Sequence, residues 1–178
     1  MSFLLTAAFL FFIFFIVFFL ICAYKVISFL ITTVFYGAFF AKSTPKIIEK
    51  MIFLADIKPG EKTADIGSGS GELVIAMANA GAKAHGYEIN PFLVWLSRRN
   101  IKKAGLQGKA FVHWKNFWQI DFFEFDVVTV YGISYIMKTL ELKLKKELKK
   151  DAKVVSNYFT FPNWPPAKKE DNIYLYIK

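Results

Sequence analysis

The 178-residue sequence holds one cysteine, Cys22, so no disulfide framework can form and no oxidising compartment is required. Ile21 before it is not the small residue that a lipoprotein cleavage site takes, and Cys22 reads as filler in an apolar run. Acidic residues are missing from the first 41 positions, where Lys25 is the only charge; Glu49 is the first carboxylate. Also missing are the basic residues that precede a cleavable signal peptide and the small-residue cut site that follows its short apolar core. No polar turn separates residues 3–24 from the apolar residues 26–41, so a hairpin of two spans has no loop to turn on. No internal repeat and no aromatic-basic RNA motif is present, which argues against a nucleic-acid partner.

Residues 3–24 are 22 uncharged positions dominated by Phe, Leu, Ile and Val. As a helix they reach about 33 Å, enough for a hydrocarbon core of about 30 Å. Each such residue favours insertion by roughly 0.3 to 0.6 kcal/mol, so a transmembrane anchor is expected. Residues 26–41 continue that helix or lie along the interface, with Lys25 snorkelling to the headgroups. No cation precedes the run, whereas Lys25, Lys42, Lys46 and Lys50 follow it. The positive-inside rule then directs the rest of the chain to the cytoplasm. The composition break divides an anchor and juxtamembrane segment, 1–41, from a globular domain, 42–178. Net charge is +9, and beside an anchor the anionic inner leaflet is the expected partner for the excess.

In the second part, Pro45 with Ile47, Ile48, Met51, Ile52 and Leu54 predicts an amphipathic helix, and Lys58-Pro59-Gly60 a turn. Strands are expected at 63–66, 83–88, 110–114, 125–131, 154–161 and 173–177. Helices are expected at 72–80, 91–104 and 136–150. The last helix carries Ile136, Leu140, Leu144 and Leu148 on one stripe and lysines on its solvated face. Alternating strands and helices predict an α/β fold, a doubly wound and mostly parallel sheet, in which the last two strands can pair antiparallel.

Asp65-Ile66-Gly67-Ser68-Gly69-Ser70-Gly71 joins a strand to a helix. Glycines let a ligand press against the backbone, and the helix N-terminus offers free N–H groups. Dinucleotide and S-adenosylmethionine (SAM) folds share that geometry. Three details favour SAM: the spacing is G-x-G-x-G rather than G-x-G-x-x-G; Asp65 stands two residues before the first glycine, where a carboxylate meets a cationic ligand end; and Glu88 ends the second strand, where an acid takes ribose hydroxyls.

The chain resembles the class I SAM-dependent methyltransferases. Among them it is similar to the membrane-anchored family containing the lysine methyltransferases of the adenine nucleotide translocase and the ATP-synthase c subunit, with their prokaryotic relatives. Carrying the resemblance are Thr44-Pro45, residues 54–60, the 65–71 loop, Gly86-Tyr87-Glu88-Ile89-Asn90-Pro91, Trp95-Leu96-Ser97-Arg98, Tyr131-Gly132 and Phe159-Thr160-Phe161-Pro162-Asn163-Trp164. It implies a Rossmann-like domain with a shortened C-terminus. It also implies that Gly67, Gly69 and Gly71 cradle the methionine part of SAM while Asp65 orients it. Glu88 holds the ribose and Asn116 lies near the adenine, with Ser68 and Asn90 also among the cofactor-binding residues. Ser70 stands where an acid is usual, Asn116 replaces an aspartate, and the linker before Thr44 lacks the family's prolines.

The function so implied is methyl transfer from SAM to a lysine of a membrane-associated protein, without a metal. Tyr131, Tyr135, Phe159, Phe161 and Trp164 are expected to line the acceptor channel, because aromatic faces tolerate sulfonium and methylated ammonium. Phe159 and Phe161 as ordinary core residues is the competing reading. His113 reads as a core or edge histidine. The alternatives are a small-molecule or lipid methyltransferase, against which the lack of a large lid after the fifth strand argues, and an inactive SAM-binding membrane scaffold.

Overall fold

With neither proline nor glycine among them, the apolar residues at the start of the chain favour one unbroken helix. In the computed structural model, which describes residues 2–36, 43–132 and 134–178, this helix, α1, runs Ser2–Tyr36. It passes Lys25 without a break, as a continuation requires; residues 37–42 lie outside those described. Within α1, the 22 residues Thr6–Ile27 form a stretch long and apolar enough to cross a membrane, with mean hydropathy 2.9. Its Phe, Leu and Ile side chains are exposed. The chain divides into two compact units, Met1–Phe39 and Phe40–Lys178.

The second unit opens with α2 (Pro45–Ala55). Thr44 caps it, its hydroxyl accepting from the Ile47 N–H at 3.4 Å, and Pro45 occupies the first turn, where its missing N–H costs nothing. There follow β1 (Lys62–Ile66), α3 (Glu72–Asn79), β2 (Lys83–Glu88), α4 (Pro91–Lys103), β3 (Ala110–Trp114), β4 (Val127–Val130), α5 (Ser134–Glu147), β5 (Lys153–Asn157), β6 (Lys168–Glu170) and β7 (Ile173–Ile177). One seven-stranded sheet results, in the order β3-β2-β1-β4-β5-β7-β6. β1 to β5 pair parallel, while β7 is antiparallel to both β5 and β6.

Alternation along the strands sorts the core into two layers. Val127 and Val155 face one layer with Met51, Leu54, Val74, Met77, Val94 and Ile101 from α2, α3 and α4. Val128, Val130 and Val154 face the other with Phe122, Leu140, Leu144 and Tyr176. The stripe expected on α5 is buried at Leu140, Leu144 and Leu148, with Met137 added. Strand order reverses between β1 and β4, and in open α/β sheets the carboxyl ends at such a reversal form the ligand crevice.

Three expectations need correction. The fourth strand is shorter than 125–131, and all four of its residues are buried. The fifth stops at Asn157 because Tyr158 takes φ +71°, which ends extended pairing, so Phe159 and Phe161 lie beyond the sheet. The edge strand β6, Lys-Lys-Glu, was not expected: with no apolar alternation it leaves no strand signal, and its lysines are what protects an open edge.

Candidate active site: a glycine loop between two buried carboxylates

The loop after β1 is tied to the end of β2. Gly67 and Ser68 both donate their N–H to the Tyr87 carbonyl, at 3.0 and 3.1 Å. Gly71 caps α3 with φ +86°, and a Cβ there would fall 2.1 Å from Ser97 Oγ, so only glycine fits beneath α4. At Gly67 the constraint is different: φ is +74°, yet a Cβ would meet nothing within 4 Å. The backbone at Gly67 is therefore open to a ligand, while the loop behind it is closely packed. Ser68 is buried with its hydroxyl against Gly86, where a Cβ would come within 2.6 Å of Oγ. Among the described residues that hydroxyl has no hydrogen-bond partner.

Two carboxylates flank the loop. Asp65 is 5% exposed and accepts from Thr129 Oγ1 at 2.8 Å. Among the described residues no basic side chain pairs with it. Burial pushes its carboxyl up to about 7 against the Thr129 hydrogen bond, and the charges of Glu88 and Glu72 add to the rise. Glu88 is held by three backbone donors: Gly69 N–H on Oε2 at 3.0 Å, Ile89 and Asn90 N–H on Oε1 at 2.9 and 2.8 Å. With two lone pairs per oxygen, Oε2 keeps capacity for one more donor. An uncompensated buried carboxylate, an open glycine backbone and an acceptor oxygen to spare together fit a ligand with a cationic amine at one end and a hydroxyl-bearing sugar at the other.

Asn90 and Asn116 stand at the same end of the sheet, each with its side-chain oxygen committed to capping. Asn90 Oδ1 accepts from Phe92 and Leu93 N–H at the start of α4, and Asn116 Oδ1 from Trp118 N–H. The Lys115 N–H donates to the Glu88 carbonyl at 3.1 Å, which sets Asn116 beside the end of β2. Ser70, where an acid is usual, donates its hydroxyl to Glu72 at 2.7 Å, so the acid next in sequence is drawn to the loop.

The five aromatics divide. Tyr131, just past β4, and Phe159, past β5, lie with ring centroids 6.5 Å apart. Tyr135 is exposed on α5. Phe161 and Trp164 are instead core side chains, 4% and 7% exposed. They pack on Tyr176 at 4.8 and 5.4 Å, and Trp164 Nε1–H donates to the Ile177 carbonyl at 3.3 Å. Burial of their apolar area against Tyr176 places both in the core beyond the end of β5. Trp164→Phe should accordingly lower stability by about 1–2 kcal/mol in urea denaturation through the lost indole bond.

Sequence reasoning passed over Thr129, Tyr158 and Glu141. Thr129 anchors Asp65, but a threonine inside an apolar strand gives no sign of its partner. Tyr158 is exposed beside Phe159, ring centroids 5.1 Å apart. Glu141 is buried on α5 and accepts from Lys145 Nζ and the Asn163 N–H, both at 2.8 Å. His113 lies in β3 as expected, its Nε2 3.0 Å from His85 Nδ1. Burial first, then neighbouring cations, hold both imidazoles below their ordinary range, His85 down to about 4.

With this geometry, residues 65–168 match the ANTKMT methyltransferase domain. The human lysine N-methyltransferase of the ATP synthase c subunit is 39% identical over 127 residues, 71% of this chain and 54% of the relative. A protein-lysine N-methyltransferase of Saccharolobus islandicus is 33% identical over 142 residues, 74% of this chain and 88% of the relative. Among solved structures, an RNA methyltransferase of Salinibacter ruber in complex with S-adenosyl-L-homocysteine superposes with a TM-score of 0.75 at 30% identity, covering 77% of this chain and 93% of that one. The chain spans about half the length of the mammalian curated relatives it matches. The sheet order, the glycine loop and the match across 65–168 lead to one conclusion: the chain belongs to the ANTKMT methyltransferase domain family.

Proposed function

We propose that this chain is a SAM-dependent methyltransferase that modifies a lysine side chain of a membrane-associated protein, acting from an N-terminal membrane anchor. The observation that carries the cofactor half is Asp65, a buried carboxylate without a cation beside an open glycine backbone. When bound, SAM supplies a methyl group already activated by its sulfonium. Asp65 then receives the ligand's amine, Glu88 Oε2 takes a ribose hydroxyl, and the backbone at Gly67 receives the methionine part. Asn116 borders the adenine. Holding donor and acceptor in line contributes about 7–11 kcal/mol.

A lysine acceptor must be neutral to attack, which at pH 7 costs about 4.6 kcal/mol from its ordinary pKa. Desolvation between Tyr131 and Phe159 lowers that cost, and their faces stabilise the cationic product. Each of Tyr131→Ala and Phe159→Ala should lower methyl transfer by about thirtyfold, the loss of a desolvated cation–π contact, with SAM affinity unchanged by calorimetry. Full transfer in both variants would remove the aromatic pair from the acceptor site.

The lysine assignment follows curated relatives named for lysine transfer to the ATP synthase c subunit and, in mouse, to the adenine nucleotide translocase, the latter 36% identical over 121 residues. Thr6–Ile27 supplies the anchor, and the cations that follow it direct the domain to the cytoplasmic face. Confining enzyme and acceptor to one surface raises their effective concentration without new contacts. RNA as acceptor is a second reading, favoured by the name of the Salinibacter relative. Labelled SAM incubated with total membranes and with total RNA separates the two: label in a protein band, on lysine by mass spectrometry, supports the proposal, and label in RNA refutes it.

A further inference from the structure

Helix α4 turns one face to the core, and among the described residues nothing covers the other. Val94, Ser97 and Ile101 are buried, while Phe92, Trp95, Arg99, Lys102 and Lys103 are exposed. At 3.6 residues per turn these five fall within an arc of roughly 100°. Phe92 and Trp95 are 62% and 55% exposed, their ring centroids 5.9 Å apart. Arg99 lies over Trp95 at 5.8 Å, whereas its neighbour Arg98 is spent on the Val112 carbonyl, donating at 2.9 and 3.1 Å. Trp114 extends the patch: it is 67% exposed, and its indole N–H donates 2.9 Å to the Ile89 carbonyl in the turn that opens α4. The helix carries no acidic residue. Exposed tryptophan and phenylalanine beside free cations are costly on a purely solvated surface. They are what an interfacial helix presents to lipid: rings at the headgroup boundary and cations toward anionic headgroups.

We infer that this α4 face, with Trp114, docks the catalytic domain onto an anionic lipid surface. The inference rests on the proposed anchor, which keeps the domain at the bilayer; charge complementarity then selects anionic lipid as the occupant. Phe92, Trp95 and Trp114 all stand at the carboxyl end of the sheet, on the side of the glycine loop, so docking brings that crevice to the membrane surface where its acceptor resides.

All four tryptophans, Trp95, Trp114, Trp118 and Trp164, lie after residue 41, so indole emission reports on the domain alone. The full chain is reconstituted in vesicles of brominated phosphatidylcholine, with and without phosphatidylglycerol, and separated by flotation. The expected result is quenching in the anionic vesicles that falls by more than half in the Trp95→Phe/Trp114→Phe double variant. Neutralising Arg99, Lys102 and Lys103 to Gln should weaken docking by about fivefold per cation, although the protein still floats. Flotation with unquenched emission in anionic vesicles overturns the docking face and leaves the anchor standing. A chain that fails to float overturns both. If an oligoribonucleotide shifts the emission of Trp95 and Trp114 while anionic vesicles do not, the face reads nucleic acid and the inference fails.

Discussion

Asp65→Asn should weaken SAM binding by roughly ten- to a hundredfold, the range for losing a charge-assisted hydrogen bond, and at the same time raise the stability of the ligand-free protein. The two effects share one cause. At neutral pH and above, folding holds this carboxylate ionised and buried with only the Thr129 hydroxyl against it. A carboxyl pushed up to about 7 by burial implies a cost to folding on the order of 4 kcal/mol once it is ionised. The sign follows from proton uptake: between about 4 and 7 the folded state holds a proton that the unfolded state has released, so stability falls as pH rises through that window. Asparagine keeps the acceptor for Thr129 and removes the charge, so that slope should vanish in urea titrations run from pH 4 to 8. Ligand binding runs the other way. A cationic amine favours the ionised form, so SAM affinity in the parent protein should drop below pH 7 as the proton must first leave, and calorimetry in buffers of different ionisation heat should record proton release. Asp65→Asn should show neither effect. A variant that binds SAM as tightly as the parent would place the amine elsewhere.

Glu88→Ala should have the opposite effect on folding and a larger one on binding. The Glu88 carboxylate satisfies the N–H groups of Gly69, Ile89 and Asn90, and its removal orphans all three. The Gly69 N–H is buried and the other two are part-buried; a buried unpaired N–H costs about 1–3 kcal/mol, so a loss of about 2–3 kcal/mol in chemical denaturation is expected. The same change releases the middle of the glycine loop from β2 and deletes the acceptor for the ribose. Together these should weaken SAM by on the order of a thousandfold, two losses of about 2 kcal/mol each. A stable variant with parent-like affinity would mean that Glu88 is merely structural. One carboxylate thus costs the fold stability while the other helps hold it together, and the proposed cofactor site uses both.

Much of this was legible in the sequence because the signals are local. Asp65 to Gly71 links a strand to a helix by pattern alone, and Pro45 and Pro91 mark helix starts that their capping residues, Thr44 and Asn90, complete. The parallel order of β1 to β5 follows from the alternation of elements. What escaped is what tertiary contacts decide. No periodicity announces that Thr129 faces Asp65 or that Glu141 is buried. The left-handed backbone of Tyr158 ends β5 early, and a tyrosine is not a residue from which that conformation is read. Phe161 and Trp164 fall in a motif that the resemblance makes distinctive, but that they pack on Tyr176 depends on a strand ten or more residues away and leaves no local signal.

Incubating the purified full chain with labelled SAM and membranes from cells lacking this protein, then mapping the label by mass spectrometry, tests most directly whether the site at Asp65 and Glu88 serves methyl transfer to a protein lysine. Label is expected on lysine of a membrane-associated protein and is abolished by Glu88→Ala. Label confined to lipid, to RNA or to a small molecule, or no SAM bound at all, would overturn the proposal.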